Sequence, residues 1–330
     1  MEQIKSLKLM LEALLVATWM ILLGVSPVFG QPSHAEVAIL TPGVTLTAVH
    51  EGLQEGLARL GYKEGKSIAF VVDDTKGSTS DLAPRAAKLL AARPNVLFAV
   101  TTSYAVAAKQ ATTTVPVVFA WVSDPVQAGL VASYVSSKNN LTGISTAPDS
   151  LSGKRLEVLL EVAPKIKRLL AIVASKDSVA QSSFRFLEET TKKLGIQLAR
   201  LDVTNREEIE QGLRETPKGS VDAIFYLPST LVRANIALLV KKAKAERIPL
   251  SVNEYSLVEL GSLVSYGPNP RLVGLQAAGL VDKVLKGTKP SEIVIETPNR
   301  LLLAVNVTTA REIGLKIPRG VLERADRLVE

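Results

Sequence analysis

Cysteine is absent from the 330 residues, which excludes disulfides, thiolate nucleophiles, thiolate metal sites and the lipid-modified cysteine that tethers many exported proteins. Histidine occurs only as His34 and His50, the first in a spacer-like stretch and the second early in a helical pattern. Neither a histidine metal cluster nor a Ser-His-Asp triad fits that supply, and no metal site, cofactor or catalytic group is expected. No Gly-x-Gly-x-x-Gly or Gly-x-x-x-x-Gly-Lys-Ser/Thr pattern follows a strand-like run, which removes the common phosphate-cradling loops. Aromatic residues make up only 5% of the chain, so those that fall in loops need either a core or a ligand to cover them. Charge of one sign is not segregated: the net charge is +7, with basic residues dispersed among acidic ones, and no nucleic-acid-binding stripe emerges. Clusters such as Lys165-Ile166-Lys167-Arg168 and Lys241-Lys242-Ala243-Lys244 read as solvated helix faces.

What is present begins with an amino-terminal leader. Lys5 and Lys8 precede an apolar run from Ala13 to Gly24, followed by Ser26-Pro27-Val28-Phe29-Gly30. A membrane-spanning helix needs ~20 apolar residues; this run is shorter and ends in poor helix formers, the layout of a secretory signal peptide over residues 1–30. An uncleaved anchor or a buried amino-terminal helix is the alternative. With the missing lipid-attachment cysteine, the expectation is an exported, freely diffusing periplasmic protein, not a lipoprotein. About 300 residues follow the leader, close to two cores of ~100–150 residues each.

Those residues alternate short β-branched runs with helical patterns, the order of α/β architecture with parallel sheets. In the first half, strands are predicted at 37–40, 67–72, 96–100 and 115–120, with helices at 48–60, 82–92 and 104–111. This unit is expected to end near Ile144. The second half repeats the order: helices at 153–163, 181–194, 207–215 and 231–246, strands at 169–173, 197–202, 223–226 and 249–252. A helix at 271–286 and short strands at 293–295 and 301–305 follow, read as elements that cross between the units. Two α/β units in tandem imply a cleft between them.

In open parallel sheets ligands sit beyond the carboxyl ends of the strands, where helix amino termini offer free N–H groups. The residues at those places are Pro42 and Gly43; Thr101, Thr102 and Ser103; Trp121 and Asp124; Ser229; and Asn253 and Tyr255. Tyr104 and Tyr266 add rings. Serine, threonine and aspartate at these turns are also the preferred helix caps. Each residue therefore has two readings, cap or ligand contact, and the case for a site lies in their common position. A carboxylate-only active site on Asp124 and Glu254 is the enzyme alternative.

The segment Val117-Val118-Phe119-Ala120-Trp121-Val122-Ser123-Asp124-Pro125-Val126-Gln127-Ala128-Gly129-Leu130-Val131, with Asn140-Leu141-Thr142-Gly143-Ile144-Ser145, closely resembles the ABC-transporter substrate-binding family related to tryptophan and tyrosine uptake proteins. The similarity extends to Gly52-Leu53, Leu60-Gly61-Tyr62-Lys63-Glu64-Gly65-Lys66, Ser265-Tyr266-Gly267-Pro268, Leu285-Lys286-Gly287-Thr288-Lys289-Pro290 and Asn306-Val307-Thr308-Thr309-Ala310. The resemblance implies a periplasmic binding protein type I fold: two Rossmann-like lobes with parallel sheets, joined by a three-crossover hinge. One lobe would comprise 36–144 with about 266–290, the other 145–265 with about 291–330. It also implies capture of a small solute, without chemistry, and delivery to an ABC permease driven by a separate ATPase, the membrane being met only through that permease. Carried over by position, Thr101, Thr102 and Ser103 would meet a polar or carboxylate end of the ligand. Asp124 would lie near the opposite polar group or serve as a turn, and Ser145 and Tyr266 would lie near the crossovers. The first-strand loop, Thr41-Pro42-Gly43-Val44-Thr45, is less polar than in members that resemble aromatic amino-acid binders, so the expected class is a carboxylate-bearing or aromatic small molecule. A ligand sensor presenting its closed form to a membrane receptor is the alternative outside transport.

Overall fold

A computed structural model describes residues 34–43, 46–146 and 151–330. The predicted signal peptide lies outside these residues, as do Val44 and Thr45 of the first-strand loop. Among the described residues no helix is long and apolar enough to cross a membrane.

Two sheets organise the chain. The first has the order β2-β1-β3-β4-β5, with β1 Ala35–Thr41, β2 Ile68–Asp74, β3 Val96–Val100, β4 Val117–Val122 and β5 Leu141–Ser145, all parallel. β3 is buried along its whole length, as a strand covered by helices on both faces must be, which accounts for its unbroken Val-Leu-Phe-Ala-Val run. The helices α1 (Thr47–Arg59), α2 (Leu82–Ala91) and α3 (Thr102–Ala111) connect these strands.

The second sheet has the order β12-β11-β10-β9-β8-β6-β7: β6 Arg168–Ala174, β7 Gln197–Val203, β8 Ala223–Tyr226, β9 Leu250–Val252, β10 Val264–Pro268, β11 Leu301–Asn306 and β12 Arg327–Val329. Only the β10–β11 pair is antiparallel. Its helices are α4 (Ser152–Val162), α5 (Ser178–Leu194), α6 (Arg206–Glu215), α7 (Thr230–Ala234), α8 (Ile236–Glu246) and α9 (Tyr255–Glu259). After β10 come α10 (Pro270–Leu285), then α11 (Val307–Glu312) and α12 (Arg319–Arg324).

The chain passes between the sheets three times: after β5, between β10 and α10, and before β11. α10 returns to the first sheet, where Val273, Ala277, Leu280 and Val281 join the core formed with β1, β3 and β4. It presses against α1 so closely that glycine is required at the contact. A Cβ on Gly274 would lie 1.9 Å from the Val49 carbonyl oxygen, and one on Gly52 2.2 Å from that of Arg271.

Some boundaries differ from the sequence reading. Tyr266 and Gly267 belong to β10 in the second sheet, so the crossing begins only at Pro270. Residues 291–296 stay with the first sheet: Ile293 and Ile295 are buried in its cores, and Glu296 bridges to Ile144. The predicted strand 293–295 therefore alternates like a strand without joining a ladder. The single predicted helix 231–246 is broken at Asn235, whose Nδ2 donates to the Leu231 carbonyl at 2.9 Å while its Oδ1 accepts from Arg206 at 3.0 Å. Such side-chain bonds to the backbone compete with the helical ladder.

Candidate functional site

In a parallel sheet all strands end at one edge, so β1, β2, β3, β4 and β5 deliver their following residues to a common rim. The residues there separate by whether their polar groups are already used. Asp124 is used: its Oδ1 accepts from the backbone N–H groups of Val126 at 2.9 Å and Gln127 at 3.0 Å, which makes it the cap of the turn that follows. Ser145 is fully buried, and its hydroxyl donates to the Ser123 carbonyl at 2.7 Å and lies 3.1 Å from the Tyr134 hydroxyl, tying the end of β5 to the end of β4. Pro42 and Gly43 are buried, and Gly43 holds φ +62°, with the Asp74 carboxylate 1.8 Å from where a Cβ would stand. Glycine there serves the close approach of the β1 and β2 ends.

Thr101 behaves differently. Its φ of 79° and ψ of 166° fall in a region that essentially only glycine populates. The conformation is imposed from both sides, since Thr101 N–H donates to the Ala120 carbonyl at 2.9 Å and its own carbonyl receives the first helical bond of α3, from Ala105 at 3.0 Å. Although it occupies the cap position of α3, its side chain caps nothing. Thr102 and Ser103 open that ten-residue helix, half-buried and exposed respectively. Beside them Trp121 also has positive φ, 60°, next to the register shift between Phe119 and Val122, and its ring leans on the core under β1, β3 and β4. Two non-glycine residues with positive φ thus stand on adjacent strand ends, next to a bulge.

Tyr104 is core, not platform. It is 2% exposed, with its hydroxyl 2.5 Å from the Thr75 hydroxyl and donating to the Ser78 carbonyl at 3.1 Å; burial pushes its pKa up. His50, near the start of α1, has its pKa lowered by burial, opposed by the carboxylates of Glu51 and Asp74.

The second sheet presents Ser229, Asn253 and Tyr255 at the equivalent places, with Tyr266 inside β10. Ser229 stands at the cap position of α7 yet makes no cap bond, is 7% exposed, and its Oγ has no partner. Asn253 Oδ1 is likewise enclosed and unpartnered. By contrast Asp177, Asn205, Asn269 and Asn306 all cap their helices, accepting backbone N–H groups at 2.7–3.2 Å. Tyr255 is engaged elsewhere, its hydroxyl bonded to Glu259 and its ring 5.7 Å from the Arg327 guanidinium. Tyr266 is half-buried and packs against the second core.

Around Ser229 and Asn253 the structure gathers charged and phenolic groups that the sequence reading did not place in the ligand set. Glu254, 3% exposed, forms an ion pair with Arg233, whose pKa is lowered by burial. The Tyr226 hydroxyl donates to the Ser229 carbonyl at 3.1 Å, and burial raises its pKa, partly offset by Arg233 and Arg155. Arg155, 1% exposed, donates through Nε to the Tyr266 carbonyl at 2.9 Å. Gly267 leaves room for the Asn253 carbonyl, which lies 1.9 Å from where a Cβ would be, so any side chain at 267 would displace it. No group of histidine, aspartate and glutamate able to hold a metal occurs among the described residues.

The comparisons with known proteins agree with this geometry. Residues 36–329 match the ABC transporter substrate binding protein family. A tyrosine-binding protein of Clostridioides difficile is 24% identical over 273 residues, 82% of this chain and 78% of the relative. Among solved structures, a conserved domain protein of Vibrio cholerae is 28% identical with a TM-score of 0.79, covering 89% of this chain and 99% of that one. A Streptococcus pneumonia ABC domain in complex with L-Trp is 23% identical with a TM-score of 0.80, covering 90% and 100%, and shares the fold. With residues 36–329 matched, the chain belongs to the ABC transporter substrate-binding protein family.

Proposed function

We propose that the mature protein is exported to the periplasm, captures one small solute between its lobes and delivers it to an ABC permease powered by a separate ATPase. In this reading 35–146 with 270–296 moves as one lobe and 151–268 with 301–329 as the other. The solute lies between the Thr101-Thr102-Ser103 rim and the Ser229-Asn253 wall. The observation that carries the proposal is Thr101: a strained, uncapping threonine at a strand end leaves its hydroxyl and the first N–H groups of α3 for an acceptor outside the protein. A carboxylate suits that partner, because the amino terminus of a helix favours negative charge. An aromatic amino acid is the first ligand to try, since the L-Trp complex and the tyrosine-binding protein named above bind such molecules. The ligand stabilises the closed arrangement by binding it more tightly than the open one.

A thermal-shift screen of aromatic amino acids, aromatic acids and small carboxylates tests this. A solute at 100 times its Kd stabilises the fold by ~2.7 kcal/mol, a rise in Tm of roughly 4 °C for a chain of this size. Absence of any shift, together with turnover of one of the compounds, would return the protein to the enzyme alternative.

A further inference from the structure

The Ser229-Asn253 wall carries a more specific message. Hydroxyls and amides at strand-to-helix turns normally satisfy themselves by capping, as Asp124, Asp177, Asn205, Asn269 and Asn306 do here. Ser229 and Asn253 do not. Both keep an enclosed side-chain oxygen without a partner, at neighbouring strand ends of β8 and β9. The Asn253 amide oxygen can only accept and the Ser229 hydroxyl can accept as well as donate; leaving such buried oxygens unpaired is unfavourable, a cost that persists where a ligand will supply the missing donor. The wall does not call for a cationic donor: the one carboxylate there, Glu254, is already paired with Arg233, and the buried Arg155 guanidinium adds further positive charge. Backbone constraint holds the pair in place, through Gly267 beneath the Asn253 carbonyl and the Tyr226 hydroxyl on the Ser229 carbonyl.

We propose that Ser229 and Asn253 determine specificity by receiving an uncharged hydrogen-bond donor at the end of an aromatic solute opposite its acceptor group, a phenol or an indole N–H. This inference rests on the solute-binding reading above. It predicts sharp discrimination, because a site built to pair a donor leaves its own buried oxygens orphaned when an analogue lacks one.

Two probe pairs isolate the donor at nearly constant shape: L-tyrosine against L-phenylalanine, and L-tryptophan against 3-benzothienyl-L-alanine, in which sulfur replaces the indole N–H. Calorimetry on the full mature chain is expected to show the donor-bearing member of at least one pair binding 10-fold or more tighter. Ser229→Ala with Asn253→Ala is expected to bring that pair within about 2-fold, chiefly by weakening the donor-bearing member. Ser229→Ala alone, which removes one oxygen and little volume, is expected to narrow the ratio partially and serves if the double variant fails to fold. Equal affinities within both pairs for the native protein, or undiminished discrimination in a folded variant, would overturn the inference and leave solute binding standing. Binding of none of the four probes would instead contradict the aromatic ligand class, and the inference with it.

Discussion

Thr101→Gly is expected to make the protein more stable and a poorer binder. Glycine adopts φ 79°, ψ 166° without penalty, so the substitution releases backbone strain of ~1–3 kcal/mol. Against this, glycine's greater freedom in the unfolded chain returns ~0.4–1 kcal/mol. Thr101 is only half-buried, so little packing is lost with its side chain. The balance is a gain of about 1 kcal/mol, which raises the ligand-free Tm by roughly 1–2 °C. The lost hydroxyl costs a ligand hydrogen bond of ~0.5–1.5 kcal/mol, a weakening of about 3- to 10-fold. Thr101→Ala separates the two effects, because it loses the hydroxyl while keeping the strain: binding should weaken similarly with no rise in Tm. Differential scanning calorimetry without ligand and titration calorimetry with it measure both quantities. A Thr101→Gly protein that melts below the native one, or that binds solute as tightly, would refute the claim that strain is held at this position for a ligand.

Gly274→Ala drives a methyl group into the Val49 carbonyl across the α1–α10 contact, and should cost ~3 kcal/mol and lower the Tm by roughly 5 °C in a thermal melt. Tyr104→Phe removes the phenol shared by Thr75 and the Ser78 carbonyl, and should destabilise by ~1–2 kcal/mol in urea unfolding while leaving solute affinity unchanged. Arg168 holds the Asp222 carboxyl below its ordinary range, with help from the backbone N–H groups of Lys167 and Arg168, so its contribution is present above the unfolded pKa of about 3.9 and fades as pH falls below it. Asp222→Asn should therefore lower the Tm at pH 7, by the equivalent of about 1 kcal/mol after solvent screening, with the difference from the native protein shrinking below pH 4.

The strands and helices that carry plain patterns were legible in the sequence: β3 and β8 fall on the predicted residues, and α1, α2, α4 and α6 end within about two positions of expectation. β5 and β10 were not predicted as strands, because Leu-Thr-Gly-Ile-Ser and Val-Ser-Tyr-Gly-Pro contain glycine and proline, which read as turn rather than ladder. In both, glycine is present because a neighbouring chain leaves no room for a Cβ, Phe119 against Gly143 and the Asn253 carbonyl against Gly267. At the proposed site, sequence position named Thr101, Ser229 and Asn253 together with Asp124 and could not tell a ligand contact from a cap, since the two draw on the same residue types. Only the hydrogen-bond geometry separates the two. Arg155 had a readable signal that charge concealed: it shares a helix face with Leu159 and Val162, the spacing of a buried stripe, and the structure buries it with them. Arg233 and Glu254 meet through the fold alone, 21 positions apart on two short helices, which no local pattern announces.

The most direct test of a solute held between the lobes is native mass spectrometry of the mature protein purified without refolding. The account predicts a chain carrying the added mass of one small molecule, released on denaturation, or taking up one equivalent of an aromatic amino acid when that is supplied. A chain that retains and takes up nothing, while converting any of those compounds into a product, would contradict it.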